Sequence, residues 1–153
     1  FDRNLLAQAV LGAFAAFAVW ELWAGWANAF VLGFTFSPIP MVKGLTGLED
    51  DGAAWWAHFV IGVVIYPLAW LALVRPLIPR APIISAVVLG LAGWVVAVAV
   101  FAPWLGMPFL MNFNPMAQAS LIGHLLMGLA WGLVATVVAR ARIVRRATVV
   151  PAR

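Results

Sequence analysis

The sequence predicts an all-α membrane protein of four transmembrane helices, arranged as two tandem helical hairpins with both termini in the cytoplasm. Hydrophobic residues make up 66% of the chain and charged residues only 9%. A soluble domain carries about 25% charged residues, which it needs to cover its surface in water. The apolar residues also occur in four long runs, each close to the roughly 20 residues that cross a bilayer. We therefore expect a single transmembrane domain over residues 1–153.

The apolar runs define the predicted spans. They cover approximately residues 5–34, 53–74, 83–105 and 115–139. Prolines fall at the joints between them, where helices begin or have just ended. Asn114, which precedes a proline, is expected to cap the fourth span, and Asp50 or Asp51 the second. Pro67 and Pro103 lie inside spans, and each is expected to kink its helix.

The distribution of arginine predicts the orientation. Arginines precede the first span, occupy the loop between the second and third spans, and fill the basic tail 140–153. They are Arg3, Arg75, Arg80, Arg140, Arg142, Arg145, Arg146 and Arg153. The loops 37–52 and 106–115 hold Lys43 as their one cation and are expected to face the outside, because cytoplasmic loops carry the excess of positive charge. The basic tail is expected to fix the topology and to contact anionic lipid, with no role in nucleic-acid binding.

The outer boundary is rich in aromatic and apolar residues. Its tryptophans form a predicted interfacial belt: Trp23, Trp26, Trp55, Trp56 and Trp104. The adjoining segments 27–42 and 105–116 are apolar although they extend beyond the spans. Apolar surface of this kind, rich in methionine and aromatic residues, is typical of a contact with another protein. We therefore expect larger membrane subunits to bind through these two outer segments.

The two halves of the chain resemble each other. Val10-Leu-Gly12 matches Val88-Leu-Gly90, and Trp26 matches Trp104 at the same offset. In the second and fourth spans, His58-Phe-Val-Ile-Gly62 matches His124-Leu-Leu-Met-Gly128, and these are the two histidines of the chain. Two spans in each half make a parallel repeat, in which corresponding spans run in the same direction.

Three polar side chains within the spans require an explanation: Glu21, His58 and His124. Counting about 1.5 Å per helical residue places all three in the outer half of the membrane. A carboxylate at such a depth is costly, so Glu21 is expected to face the bundle and to have a partner. The histidines lie on parallel spans and can face each other.

Several roles are open for the histidine pair. His58 and His124 can be the two axial ligands of a b-type haem, with Gly62 and Gly128 leaving room for the macrocycle. The structural alternative is that each histidine bonds a neighbour on its own helix or pairs with Glu21. A quinone, lipid or proton site is a further possibility, and bound lipid is expected in any case. A metal site is not predicted, since two histidines and one glutamate need a special geometry. The absence of cysteine excludes thiolate sites.

The glycines predict close helix packing. Gly128 and Gly132 have the spacing that lets two helix backbones approach, either within the chain or with a partner. Six small polar residues in or near the spans are expected to form hydrogen bonds between helices: Gln8, Asn28, Ser85, Gln118, Ser120 and Thr136.

The whole chain resembles the small uncharacterised bacterial four-helix membrane proteins of the YagU type. The resemblance rests on the four spans and on the segment Gly123-His124-Leu-Leu-Met-Gly128. It implies the four-helix architecture and a multi-pass location in the bacterial inner (plasma) membrane, and it implies no activity. Arginine outnumbers lysine eight to one, which also fits a bacterial chain from a GC-rich genome.

These observations favour a non-catalytic integral membrane subunit of a larger assembly, with a respiratory or electron-transfer complex as the expected host. No phosphate-binding loop, nucleophile elbow or paired catalytic carboxylates occur in the sequence, so catalysis by this chain alone is not expected. The alternative is a b-haem or quinone-binding electron-transfer protein that uses His58 and His124. A third possibility is a small proton-coupled transporter that uses Glu21.

Overall fold

The computed structural model describes residues 2–149, with side chains up to residue 141. This part of the chain contains five helices: α1 (Arg3–Leu32), α2 (Ile39–Thr46), α3 (Asp51–Leu77), α4 (Pro82–Trp104) and α5 (Pro115–Val149). A short 3-10 turn over Phe109–Phe113 precedes α5. In the described residues, α1, α3, α4 and α5 are long and apolar enough to cross a membrane, as the sequence predicts. The side chains of the basic tail beyond Ala141, including Arg142, Arg145, Arg146 and Arg153, lie outside the described residues.

Side-chain caps begin three of the long helices. The carboxylate of Asp2 accepts a hydrogen bond from the backbone N–H of Asn4 at the start of α1, at 2.9 Å. Asp50 accepts from Ala53 N–H at the start of α3, at 2.7 Å. The amide oxygen of Asn114 accepts in the same way at the start of α5. Each cap satisfies an N–H that the first helical turn leaves without a partner.

Wide π turns interrupt the helices where prolines occur. Such turns cover Ile61–Ile65, Trp70–Val74 and Ala97–Phe101, and each is followed two residues later by a proline: Pro67, Pro76 and Pro103. Proline lacks an N–H and its ring collides with the carbonyl four residues earlier. The wider turn moves that carbonyl away. The prolines expected to kink the helices are thus accommodated by local widening of the helix.

A fourth π turn, at Trp23–Ala27 in α1, has no proline after it. The backbone N–H of Asn28 bonds Trp23 O, five residues earlier, at the end of this turn. π turns without proline often mark functional positions in helices. This one begins two residues after Glu21.

α5 lies against both α1 and α4, and these two interfaces are the most extensive in the bundle. α3 is peripheral. Its outer part contacts the short helix α2, its middle contacts α1, and its π turn at Trp70–Val74 contacts α4. α3 contributes the fully buried Trp70 to the core, and most of the other core residues are alanines and tryptophans from α1 and α5.

Glycines allow the close approach of α4 and α5. A Cβ added at Gly90 would lie 2.4 Å from the carbonyl oxygen of His124, and one at Gly132 would lie 2.4 Å from Ile83 Cα. At Gly128 the added atom would lie 2.9 Å from Val87 Cα. The small-residue spacing of Gly128 and Gly132 therefore serves helix contact within the chain.

Indole N–H groups supply most of the hydrogen bonds that join the described helices. Trp23 donates to Ala119 O and Trp94 to Ala117 O, which ties α1 and α4 to the same part of α5. Trp70 donates to Ser85 Oγ and ties α3 to α4. The carbonyl oxygens of Ala119 and Ala117, near the start of α5, thus each gain a second donor, at 2.8 and 3.0 Å respectively.

The prediction that six small polar residues bond between helices is wrong for most of them. Ser85 has such a bond, which it accepts from Trp70. The other side chains bond groups nearby in the chain instead. For example, Gln8 donates to Asn4 Oδ1, and Thr136 to Gly132 O four residues earlier. Hydroxyl and amide groups in helices readily reach the preceding turn, and this local bond removes the need for a partner helix.

The outer segments pack against each other. A second core contains Val98, Ala102, Met111 and Ala117, with Met41, Trp94, Met107 and Leu110 at its edge. Residues 110–113 have φ values of 50–52°, a left-handed backbone that non-glycine residues rarely adopt. Met111 is buried in this second core. Part of the apolar surface expected to contact a partner is therefore used within the chain.

Candidate functional site

The candidate site is a polar cluster where the outer halves of α1 and α3 meet. Trp55 Nε1 donates a hydrogen bond to Glu21 Oε2 at 3.0 Å. His58 Nδ1 lies 3.6 Å from Glu21 Oε1. Trp55 and His58 are three residues apart and so project from the same face of α3. One carboxylate oxygen thus accepts an indole N–H, and the other lies near the His58 Nδ1 atom, which is buried and forms no hydrogen bond among the described residues.

The cluster lies within about three turns of the start of α3 at Asp51. Trp55 follows the start of α3 at Asp51 by four residues, which corresponds to about 6 Å along the helix axis. His58 lies about 10 Å from the same point. Glu21 contacts both residues and must lie at their level. Its side chain is 36% exposed, whereas that of His58 is 15% exposed.

Trp20 separates the two histidines. Its ring centroid lies 5.9 Å from that of His58 and 4.7 Å from that of His124, with a T-shaped arrangement at the second contact. Trp20 is buried, and its Nε1 has no hydrogen-bond partner among the described residues. The two imidazoles therefore face a shared indole ring.

His124 is held by its own helix. Its Nδ1 lies 2.8 Å from the carbonyl oxygen of Ser120, one turn earlier. Because a carbonyl can only accept, this contact places the proton on Nδ1. The ring is buried in the bundle. The two histidines, at matching positions of the repeat, thus have different partners: Glu21 for His58 and a backbone carbonyl for His124. Both partners are those of the structural alternative.

An aromatic shell surrounds the Glu21–His58 pair. Phe17 lies 5.4 Å from the His58 ring, 5.8 Å from Trp55 and 5.1 Å from Phe59, centroid to centroid. Trp55 stacks on Phe59 at 5.7 Å. Such packing limits water on the inner side of the pair and raises the strength of its electrostatic interaction. The other side of Glu21 is open.

A haem between the two histidines does not fit this arrangement. Trp20 contacts both imidazole rings. The glycines expected to make room for the macrocycle face protein atoms instead. A Cβ at Gly62 would lie 2.7 Å from the Phe17 ring, and one at Gly128 would meet the backbone of α4. Haem ligation by His58 and His124 would require Trp20 to move, and it stays a prediction that a visible absorption spectrum can decide.

The described residues contain no group of three His, Cys, Asp or Glu side chains placed to hold a metal ion. The cluster brings a carboxylate and an imidazole to within 3.6 Å of each other. Together they can hold a proton, or bind a group that donates hydrogen bonds to the exposed side of Glu21.

The roles of Trp20 and Trp55 in this site are not predicted by the sequence. Trp55 was expected in the interfacial belt, together with residues such as Trp26 and Trp56, and these two are indeed exposed. Trp55 instead donates to Glu21. The three-residue spacing of Trp55 and His58 was the signal that could have placed Trp55 beside Glu21. For Trp20, the available signal was its position next to Glu21 in the chain.

Comparison with protein-family models, with curated proteins and with solved structures finds no match for this chain. The resemblance to YagU-type proteins stays a prediction.

Proposed function

We propose that this chain is a non-catalytic integral membrane subunit of a larger membrane assembly. The observation that carries the proposal is the exposure of Glu21 within a helix long and apolar enough to span a membrane. A carboxylic residue within the hydrocarbon region costs about 2.5–3.5 kcal/mol on insertion scales. Trp55 donates a hydrogen bond to one oxygen of Glu21, His58 lies near the other, and lipid tails offer no donor to the exposed side of the carboxylate. A second protein that donates a hydrogen bond there would remove the cost.

The remaining exposed residues of the outer segments support a protein contact. Phe30, Phe109 and Phe113 of these segments are exposed, and so is Trp104, which immediately precedes the second segment. They flank the end of the bundle where the Glu21 cluster lies. We propose that larger subunits bind here, through segments 27–42 and 105–116. A respiratory or electron-transfer complex remains the narrower hypothesis, and the identity of the proteins bound at this surface would decide it.

Photo-crosslinking tests the proposal directly. A photoreactive residue at Leu22, Trp56 or Phe109 should form adducts with discrete membrane proteins in native membranes. The matched control is Leu133, an exposed position on α5 away from the cluster, which should crosslink to lipid. Adducts with lipid at all four positions would overturn the proposal.

Charge substitutions refine the contact. Phe109→Asp and Phe113→Asp should release the partner in mild detergent while the chain stays in the membrane. Leu110→Asp is a poor test, because Leu110 packs against the second core and its replacement disturbs the fold itself. Phe109→Leu keeps the apolar surface and should retain the partner. Unchanged association after both charge substitutions would exclude the 105–116 segment from the interface.

We also propose that both termini are cytoplasmic, that the four helices form two tandem hairpins, and that the membrane is the bacterial inner membrane. The arginine distribution supports this orientation. Because the chain lacks cysteine, single cysteines report on topology without background. Glu49→Cys should react with an impermeant thiol reagent from outside, whereas Ala141→Cys should not. The reverse labelling would contradict the orientation.

The contact between Glu21 and His58 favours a second candidate, a proton-coupled transporter. Two titratable groups 3.6 Å apart within the spans, one of them exposed, can exchange a proton with a bound substrate. Glu21→Gln should then abolish a pH-dependent flux in vesicles while folding stays intact. No pH-dependent flux in vesicles containing the native chain would remove this candidate without affecting the subunit proposal.

A further inference from the structure

The opposite end of the bundle contains a groove that the proposed function does not use. It has a volume of about 330 Å3 and lies between the start of α1 and the end of α3. Its lining includes Asp2, Leu5, Gln8, Leu71, Arg75 and Pro79. Both helix ends are ends of the predicted spans, so the groove lies at the level where lipid headgroups meet the protein.

Arg75 is fixed in place, and its buried Nε–H is left without an acceptor among the described residues. Its Nη1 donates to the backbone carbonyls of Ile78 and Pro79, and its guanidinium carbon lies 5.6 Å from the centre of the Trp70 ring. The Nε atom of Arg75 is buried and has no hydrogen-bond partner among the described residues. A buried N–H without an acceptor is destabilising. An anionic oxygen in the groove would satisfy it.

Gln8 presents the complementary feature, a buried acceptor without a donor. Its side chain is almost entirely enclosed, with 4% exposure. Asn4 Nδ2 donates to Val138 O at 3.1 Å, which leaves Asn4 Oδ1 to accept from Gln8 Nε2. This chain of bonds fixes the orientation of both amides. It leaves Gln8 Oε1 without a partner among the described residues.

The groove therefore requires a ligand that accepts from Arg75 and donates to Gln8. A cationic donor suits Gln8 Oε1 best, because a charge-assisted hydrogen bond is stronger than one from a neutral group. Leu5 and Leu71 add an apolar surface. We propose that this groove binds the headgroup of a phosphatidylethanolamine lipid, with a phosphate oxygen on Arg75 Nε and the primary ammonium on Gln8 Oε1.

Other common headgroups lack one part of this pattern. The quaternary ammonium of phosphatidylcholine carries no N–H and cannot donate to Gln8 Oε1. The headgroup of phosphatidylglycerol offers only neutral hydroxyl donors, whose hydrogen bonds are weaker than those of an ammonium group. The site thus differs from a general attraction of anionic lipid to arginines, which depends on charge alone.

Native mass spectrometry of the full chain in mild detergent tests the headgroup preference. Phosphatidylethanolamine should be retained at about tenfold lower lipid concentration than phosphatidylcholine or phosphatidylglycerol, which corresponds to about 1.4 kcal/mol. In the N-methylated series, binding should fall most between the dimethyl and trimethyl headgroups, where the last N–H is lost. Equal retention of all lipids, or a preference for phosphatidylglycerol, would overturn the proposal.

Substitutions locate the site. Arg75→Gln should lower retention of phosphatidylethanolamine about tenfold, and Gln8→Leu should reduce it to the level of phosphatidylcholine. The matched control is Arg80→Gln, which removes an exposed arginine from the same loop outside the groove lining and should leave retention unchanged. An Arg80→Gln effect as large as that of Arg75→Gln would show attraction by charge alone and would contradict the proposal. The methylated series uses the native chain, so it decides the question even if a variant fails to fold.

Discussion

α3 and α5 carry the same His-x-x-x-Gly motif and run in the same direction, yet they occupy opposite roles in the bundle. His58 and His124 flank Trp20, and Trp70 of α3 lies 5.7 Å from Trp131 of α5, centroid to centroid. Both contacts follow the chain in the same order, which is what two helices running in the same direction produce. α5 nevertheless packs on both α1 and α4, whereas α3 lies at the edge and presents much of its length outward.

The difference arises from what the motif glycines contact. Gly128 lies against the backbone of α4 at Ala86 and Val87, which brings α4 and α5 together. Gly62 lies against the ring of Phe17, a side chain of α1. An aromatic ring thus separates α3 from α1, whereas α5 and α4 are in direct backbone contact at the equivalent glycine. A repeated motif therefore does not produce a symmetric pair of sites, because its environment depends on the neighbouring helix.

Helix continuity distinguishes the two helices further. α3 contains two π turns and their prolines, Pro67 and Pro76. α5 runs without interruption from Pro115 to Val149. A peripheral helix tolerates such irregularity because few neighbours depend on its register, whereas an irregular α5 would misplace side chains at two interfaces.

The largest expected effect comes from exchanging proline between the two helices. Leu133 occupies in α5 the position that Pro67 occupies in α3, counted from each histidine. Leu133→Pro should lower the free energy of unfolding by about 3 kcal/mol or more, because it breaks a hydrogen bond in a regular helix. Pro67→Leu should cost less, about 1–2 kcal/mol, because the π turn already accommodates the proline and the loss comes only from fitting a larger side chain into a buried site. Unfolding in mixed detergent micelles measures both.

Leu133→Ala is the control, because it shortens the same exposed side chain without altering the backbone. Equal losses from Leu133→Pro and Pro67→Leu would mean that α3 and α5 contribute alike to the fold.

The sequence predicted the four spans because long apolar runs and the joints marked by proline depend on local composition alone. The caps at Asp50 and Asn114 were also predictable, because a cap bonds backbone groups within its own turn. The peripheral position of α3 was not, because it depends on whether Gly62 meets a ring or a backbone. Periodicity within one helix carries no information about its partner.

The site could be predicted in part for a similar reason. Glu21 stood out as a carboxylate that needs a partner, and His58 was among the partners considered. The insertion of Trp20 between the histidines could not be read from spacing, because a tryptophan suits an interface, a core or a hydrogen bond equally well. The six small polar residues show the same limit of prediction from sequence, because their hydrogen bonds within one helix compete with bonds between helices.

A smaller effect is expected at the motif glycines. Gly128→Ala should cost about 1–3 kcal/mol of unfolding free energy, because its Cβ meets Val87 Cα and Ala86 O, which move only if the helices separate. Gly62→Ala should cost less than about 1 kcal/mol, since the half-buried Phe17 ring can tilt away. Equal costs would show that α1 and α3 are packed as rigidly as α4 and α5. Gly25→Ala is a control, because nothing lies within 4 Å of a Cβ at that position.

The smallest and most diagnostic effect concerns the coupling of Glu21 to each histidine. A double-mutant cycle of Glu21→Gln with His58→Asn should give a coupling of about 0.6 kcal/mol, which is typical of polar contacts in membrane bundles. The same cycle with His124→Asn should be additive within about 0.3–0.5 kcal/mol, because His124 bonds Ser120 O and Trp20 stands between it and His58. Unfolding free energies of the single and double variants measure both cycles under one condition. Equal coupling to both histidines would mean that they act as one site across Trp20. That result would support a ligand bound by both histidines. It would also contradict the asymmetry between α3 and α5 at the His-x-x-x-Gly motif that the two helices share.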